Sequence, residues 1–245
     1  MKRALAAAFA ATMAIATARA GQWPGVPVLM YHRVDADVPA DAVGRDLTVE
    51  PTAFEDQLRF LNAHGIRAIT AEDLARSLER GEHPERAVVL TFDDGYADAA
   101  TTALPLLVKY RARATFYISS GFVGTPRHVS WAQLRALRAA GMEVACHGTE
   151  HLDLSTLDRA GQMSEAGGCM RRFAHYLGGT PPITYAYPAG KFDATTFEIM
   201  RVLGIHAAFT ELPGAVTGLE RPYELPRRRV RHDDTIVQFE AVATP

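Results

Sequence analysis

The sequence predicts one α/β domain folded as a distorted (β/α)7–8 barrel, and three observations carry the prediction. From Gly21 onward, short apolar runs alternate with longer stretches of helical period, and no low-complexity tract or internal repeat interrupts them. No glycine-rich turn follows the first run: Val26-Pro27-Val28-Leu29-Met30 continues into Tyr31-His32-Arg33-Val34, which disfavours a dinucleotide-binding sheet. Four of the runs end in residues able to bind metal, move protons or present backbone amides, and a parallel barrel would gather those ends on one face.

Taken in order, residues 1–20 read as a cleaved secretory leader. Lys2 and Arg3 form its charged start, Ala4 to Thr17 an apolar stretch too short to span a membrane, and Ala18-Arg19-Ala20 a small-x-small cleavage site. Cleavage near Ala20 would leave 225 of the 245 residues, enough for one large domain over residues 21–245 in the periplasm or outside the cell. No cysteine follows the site, so no lipid anchor is expected. The cut removes Lys2, Arg3 and Arg19, leaving 23 basic against 28 acidic residues. With no basic run except Arg227-Arg228-Arg229, nucleic acid and anionic membranes are poor partner candidates.

Strands are expected over 26–31, 66–70, 87–92, 114–119, 142–146, 183–187, 206–210 and 225–230. Phe54, Leu58 and Leu61 repeat at helical spacing over 52–63, and Trp131, Leu134 and Leu137 do so over 131–140, with Ser130 placed to cap and Gly141 to end that helix. Residues 35–50 read as a loop over one end of the barrel. Asp193 suits an N-cap, and His206 a packed core position. Cys146 and Cys169 either form one bridge or remain two buried thiols; spacing alone leaves both open.

The chemistry starts at Ala87-Val88-Val89-Leu90-Thr91-Phe92-Asp93-Asp94-Gly95, a buried strand that ends in two carboxylates and a glycine. Asp-Asp-Gly is also good turn chemistry, so the stretch needs partners elsewhere. His32 follows the first strand. His147-Gly148-Thr149-Glu150-His151 follows the fifth and spaces two imidazoles so that both can face one ion. Two histidines and a carboxylate with one position open make a catalytic metal set. Tyr187-Pro188-Ala189-Gly190 ends a fourth strand in a turn.

These motifs together resemble the polysaccharide deacetylase family, the NodB homology domain of carbohydrate esterase family 4, over nearly the whole chain after the leader. Thr91-Phe92-Asp93-Asp94-Gly95 matches the family's first motif, His147 and His151 the second, and Tyr187-Pro188-Ala189-Gly190 the third; Leu225-Pro226-Arg227 with Val230 resembles the strand bearing a late arginine. Tyr31-His32-Arg33-Val34 resembles the branch, often acting on poly-N-acetylglucosamine, in which an N-terminal histidine replaces a late one. The resemblance implies a NodB-like barrel and metal-dependent removal of acetyl groups from N-acetylated sugars. It makes Asp93 the general base, His32 the general acid, and Asp94, His147 and His151 the ligands of one divalent ion, Zn²⁺ first, with Co²⁺ or Ni²⁺ as alternatives. It gives Arg227, with Arg229 in reserve, the task of holding the base. The backbone N–H of Ala189 would meet the oxyanion, with Tyr187 and Pro188 shaping the substrate site.

Three departures stand out. Gly148 occupies a position where Ser or Thr usually steadies the loop, Ala186 replaces an arginine two places before the proline, and Ala189 replaces an aromatic wall. Other functions on the same fold are a metal-dependent hydrolase of peptidoglycan, acetylxylan or a small amide, and a non-catalytic carbohydrate-binding protein.

Overall fold

The computed structural model describes residues 23–244, and the leader expected over residues 1–20 lies outside them. Eleven strands form among the described residues: β1 (Val26–Tyr31), β2 (Arg33–Val34), β3 (Thr48–Val49), β4 (Arg67–Ile69), β5 (Ala87–Phe92), β6 (Thr115–Ile118), β7 (Glu143–Cys146), β8 (Thr184–Ala186), β9 (Ala207–Phe209), β10 (Ala215–Val216) and β11 (Arg228–Arg229). Every residue of β1 and β5 is buried, as strands covered on both faces require. β1, β5, β6, β7, β8 and β9 pair in parallel in that order. The segment 225–229 closes the ring: Leu225 bridges to Phe209, and Arg228 and Arg229 pair with Leu29 and Met30, all in parallel. The ring strands therefore present their C-terminal ends on one face, as the barrel prediction requires.

Two short strands distort the ring. β4 pairs with Ala87–Val89, leaving only Thr91 and Phe92 of β5 to meet β6, and β10 runs antiparallel along Val26 and Pro27. Each takes hydrogen bonds at the N-terminal end of a ring strand, so the ring is tightest at the opposite end. Alternate side chains divide between two cores. Val28, Val89, Tyr117, Ala145, Ala207 and Phe209 pack in one, inside the ring; Leu29, Leu90, Phe92, Phe116 and Val144 pack in the other, under the helices. Phe92 stacks between Tyr31 and Phe116, with ring centroids 5.1 and 4.8 Å apart. Tyr31 and Phe92 directly precede His32 and Asp93, so the packing that fixes these rings also fixes two strand ends.

The helix Pro51–Ala63 starts on proline and buries Phe54, Leu58 and Leu61. The helix Trp131–Ala139 opens on a reciprocal cap between Ser130 and Gln133 and buries Leu134 and Leu137. Two expectations are corrected. The stretch 35–50 is not simply a loop, because β3 pairs with β2 and a helix spans Ala42–Asp46. Buried Asp98 holds this flap by accepting the N–H of Val34 at 2.6 Å. His206 is exposed rather than packed in the core, since it precedes β9 and its Nδ1 lies 2.5 Å from Glu79.

Candidate active site

Asp93 and Asp94 leave β5 in different directions because the backbone turns between them. Asp94 adopts a left-handed conformation with φ of 71°, followed by Gly95 at 86°. Aspartate tolerates that region better than most side chains, and glycine does so freely. A Cβ at Gly95 would also press on Ile118 at 3.2 Å. The turn sends Asp93 into the ring and Asp94 across its mouth.

Inside the ring, Asp93 meets Arg227 in a two-pronged pair, Nη1 to Oδ1 at 2.8 Å and Nη2 to Oδ2 at 2.7 Å. Arg227 also donates Nη1–H to Thr91 Oγ1 at 3.1 Å and Nε–H to the Thr210 carbonyl at 2.9 Å. Both side chains are almost wholly buried. Burial pushes the Asp93 carboxyl up, but the Arg227 charge, with His147 and His32, outweighs it and holds the group below its ordinary value. Arg229, the reserve candidate, pairs instead with Glu211 and Asp46. Asp93 is thus clamped by Arg227 with no arginine at position 186, and the Ala186 carbonyl serves a different residue.

That residue is His147, whose Nδ1 lies 2.8 Å from the Ala186 carbonyl. A carbonyl can only accept, so Nδ1 carries the hydrogen and Nε2 presents a lone pair. Nε2 of His147 and Nε2 of His151 lie 3.4 and 3.3 Å from the same Asp94 Oδ1. This oxygen is buried and has no hydrogen-bond partner among the described residues. Lone pairs facing one another at such range repel unless a cation or proton stands between them. The three ligand atoms lie within 4.8 Å of one another, and their types match a divalent-metal set with a position left open, so the residues present fit an ion.

Burial lifts the Asp94 carboxyl, but His147, His32 and His151 overcome it and hold the group well below the usual carboxylate range. Burial lowers His147, yet Asp93 and Asp94 more than compensate and its pKa ends raised. His151 and His32 end lowered, with burial the main cause in each. His32 follows β1 and is 8% exposed, within the electrostatic reach of both aspartates.

At the end of β8, Ala189 is left-handed, with φ of 51°, and its N–H enters none of the turn's backbone hydrogen bonds. Tyr187 is buried and donates its hydroxyl to the Tyr223 carbonyl, so it supports the turn from below. Pro188 packs toward Gly148. Three of the six non-glycine residues with positive φ among the described residues are therefore Asp94, His151 and Ala189. Such conformations cost on the order of 1–3 kcal/mol each and persist only where surrounding structure enforces them.

Sequence reasoning missed two supporting residues. Tyr96 follows the aspartate turn and stacks on His128 at 5.3 Å; burial and then the Asp94 charge raise its phenol. Glu165 sits buried behind the two histidines. Its signal was present as a carboxylate one helical turn before Cys169, on the stripe that also carries Ala166 and Phe173.

A family profile described as polysaccharide deacetylase matches residues 80–208. The Staphylococcus epidermidis poly-beta-1,6-N-acetyl-D-glucosamine N-deacetylase is 27% identical over 232 residues, covering 84% of this chain and 78% of that one. Among solved structures, the Streptococcus pyogenes deacetylase PplD in complex with acetate superposes with a TM-score of 0.84 at 27% identity, over 90% of this chain and 99% of the other. IcaB from Ammonifex degensii superposes with a TM-score of 0.78 at 26% identity, over 91% and 99% of the two chains. With the motif residues gathered at one mouth of a NodB-type barrel, the chain belongs to the polysaccharide deacetylase family of hydrolases.

Proposed function

We propose that the protein removes N-acetyl groups from an N-acetylglucosamine-containing polysaccharide, with β-1,6-linked chains as the first candidate, using one divalent ion held by Asp94, His147 and His151. The observation that carries this reading is the meeting of three lone-pair donors on one side of the barrel mouth with an arginine-clamped carboxylate on the other. The named activity of the staphylococcal relative supports the choice of polymer. When bound, such an ion supplies Lewis acidity that polarises an amide carbonyl and lowers the pKa of water.

The chain's own residues do the rest. Asp93 is ionised at neutral pH, and Arg227 fixes its orientation, so it takes the proton of the attacking water. The water oxygen bonds to the acetyl carbon, and the Ala189 N–H donates to the oxygen on which charge develops. The C–N bond then breaks, and His32 gives a proton to the departing nitrogen. Acetate and a free amine result. A lowered pKa makes the His32 imidazolium a stronger acid, though a smaller fraction carries the proton.

Residues 1–20 are assigned on the same footing as a cleaved export leader, and residues 21–245 as one deacetylase domain. The Cys146–Cys169 disulfide supports an oxidising destination. No helix among the described residues is long and apolar enough to cross a membrane.

The test is acetate release from β-1,6- and β-1,4-linked N-acetylglucosamine, peptidoglycan and acetylxylan, with and without Zn²⁺, Co²⁺ or Ni²⁺. Release from the β-1,6 polymer should require added metal. Asp93→Asn should keep the ion and lose roughly 10²–10⁴-fold in turnover, whereas Asp94→Asn should lose both. Full release by metal-stripped protein, or equal metal loss in the two variants, would overturn the division of roles.

A further inference from the structure

We propose that Glu165 is a positioning residue that hangs the His147–His151 loop from the helix Arg159–Tyr176 and sets how tightly the site grips its ion. The proposal rests on the reading of these histidines as metal ligands. Glu165 is 4% exposed, and its Oε1 accepts three loop amides: Thr149 N–H at 2.9 Å, Glu150 N–H at 2.8 Å and Leu152 N–H at 3.2 Å. Its main-chain carbonyl accepts the Thr149 hydroxyl at 2.7 Å. One residue thus makes four bonds to the loop, on both sides of His151. No cation pairs with its carboxylate among the described residues, so the N–H groups are what it serves.

Two further features fit this role. Gly148 has φ of 79°, and a Cβ there would lie 2.5 Å from Glu165 Oε1. The Ser or Thr expected after the first histidine has no room while Glu165 holds the loop, so glycine and glutamate form a matched pair. At the loop's other end, Cys146 directly precedes His147 and is bonded to Cys169, one turn beyond Glu165 on the same helix. Both ligand histidines are therefore tethered to one helix, His147 through a covalent bond and His151 through a carboxylate oxygen. His151 needs the tether, because its backbone sits at a φ of 57° that it would not choose alone.

The decisive feature is an acceptor oxygen at one place, so the variants separate position from charge. Glu165→Gln keeps an oxygen where Oε1 stands and should bind Zn²⁺ and Co²⁺ near wild-type strength in chelator competition. Glu165→Asp keeps the charge but is one methylene too short, and with Glu165→Ala it should weaken binding about 10–100-fold, the range for residues that orient metal ligands. In metal-free protein, amide hydrogen exchange at Thr149, Glu150 and Leu152 should accelerate in the Asp and Ala variants and not in Gln. Circular dichroism establishes that each variant is folded, and the Gln and Asp variants carry the test if Ala does not fold. Wild-type protein that binds no ion would sink the metal reading, while the exchange data would still judge Glu165. Wild-type affinity and slow exchange in Asp, or loss in Gln with retention in Asp, would overturn this proposal.

Discussion

The barrel buries a carboxylate at each end and treats the two in opposite ways. At the C-terminal mouth, Asp93 is met by a guanidinium and held below its ordinary pKa. At the N-terminal end, Glu143 opens β7 with only neutral hydrogen-bond partners among the described residues. Its Oε2 accepts the Glu72 N–H and the Thr115 hydroxyl, both at 2.8 Å, and its Oε1 accepts the Thr184 hydroxyl. Burial dominates there and pushes the group up to about 7. Hydrogen bonds from hydroxyls and amides satisfy a buried carboxyl without supplying a charge to hold it ionised. The mouth therefore carries a permanent anion suited to proton transfer, and the floor carries an acid that ties three strands to the start of a helix.

The contrast breaks most severely if the cation is removed. Arg227→Met would leave Asp93 as an unpaired buried charge and should cost roughly 3–5 kcal/mol of stability. Adding Asp93→Asn to that variant should restore most of the loss, because an amide needs no counter-charge. Urea unfolding of the two single variants and the double variant measures the coupling. A double variant no more stable than Arg227→Met would mean that the mouth does not depend on charge pairing.

The floor should reveal itself through pH. Glu143 binds its proton more tightly folded than unfolded, so between about pH 4.5 and 7 the folded state holds more protons and stability falls as pH rises. A shift from 4.5 to about 7 corresponds to about 3 kcal/mol across that window, complete above it. Glu143→Gln mimics the protonated form and should remove the slope. Comparing the wild-type-minus-variant difference at pH 5 and pH 8 isolates it from every other titrating group. A difference that does not change between these two pH values would show that Glu143 is not a floor acid at all.

The sequence shows the mouth far better than the floor, for physical reasons. β1 and β5 fall on the expected boundaries, and the Ser130 cap, the Asp193 cap and the convergence of four strand ends follow from local pattern plus parallel topology. The cysteine pairing becomes visible only once β7 and its neighbouring helix are placed side by side. The strand expected over 66–70 forms as β4, but local pattern cannot carry its pairing along the start of β5, the two-residue β10, or the left-handed backbone at Asp94, His151 and Ala189, where no glycine announces it. Glu143 and Glu165 escape notice for a related reason. A lone glutamate at a strand start or on a helix is ordinarily solvated, and only the packed structure shows that its partners are backbone amides and hydroxyls 13 to 71 residues away.

The smallest effects give the sharpest comparison, because one chemical change can be made at both ends. Thr184→Val deletes a hydroxyl that donates to Glu143 and accepts from Tyr117 at 3.2 Å. Thr91→Val deletes one that accepts from Arg227 and donates to the Leu29 carbonyl at 2.9 Å. Each should cost about 1–2 kcal/mol through buried groups left without partners. The two should differ in how that cost responds to pH. At the floor, the lost donor matters more once Glu143 ionises, so the penalty for Thr184→Val should grow from pH 5 to pH 8. At the mouth, Asp93 and Arg227 keep their charges throughout, so the penalty for Thr91→Val should stay level. Parallel pH responses in the two variants would mean that the carboxyls share one electrostatic environment, and the distinction between the charge-paired end and the neutral end would go with it.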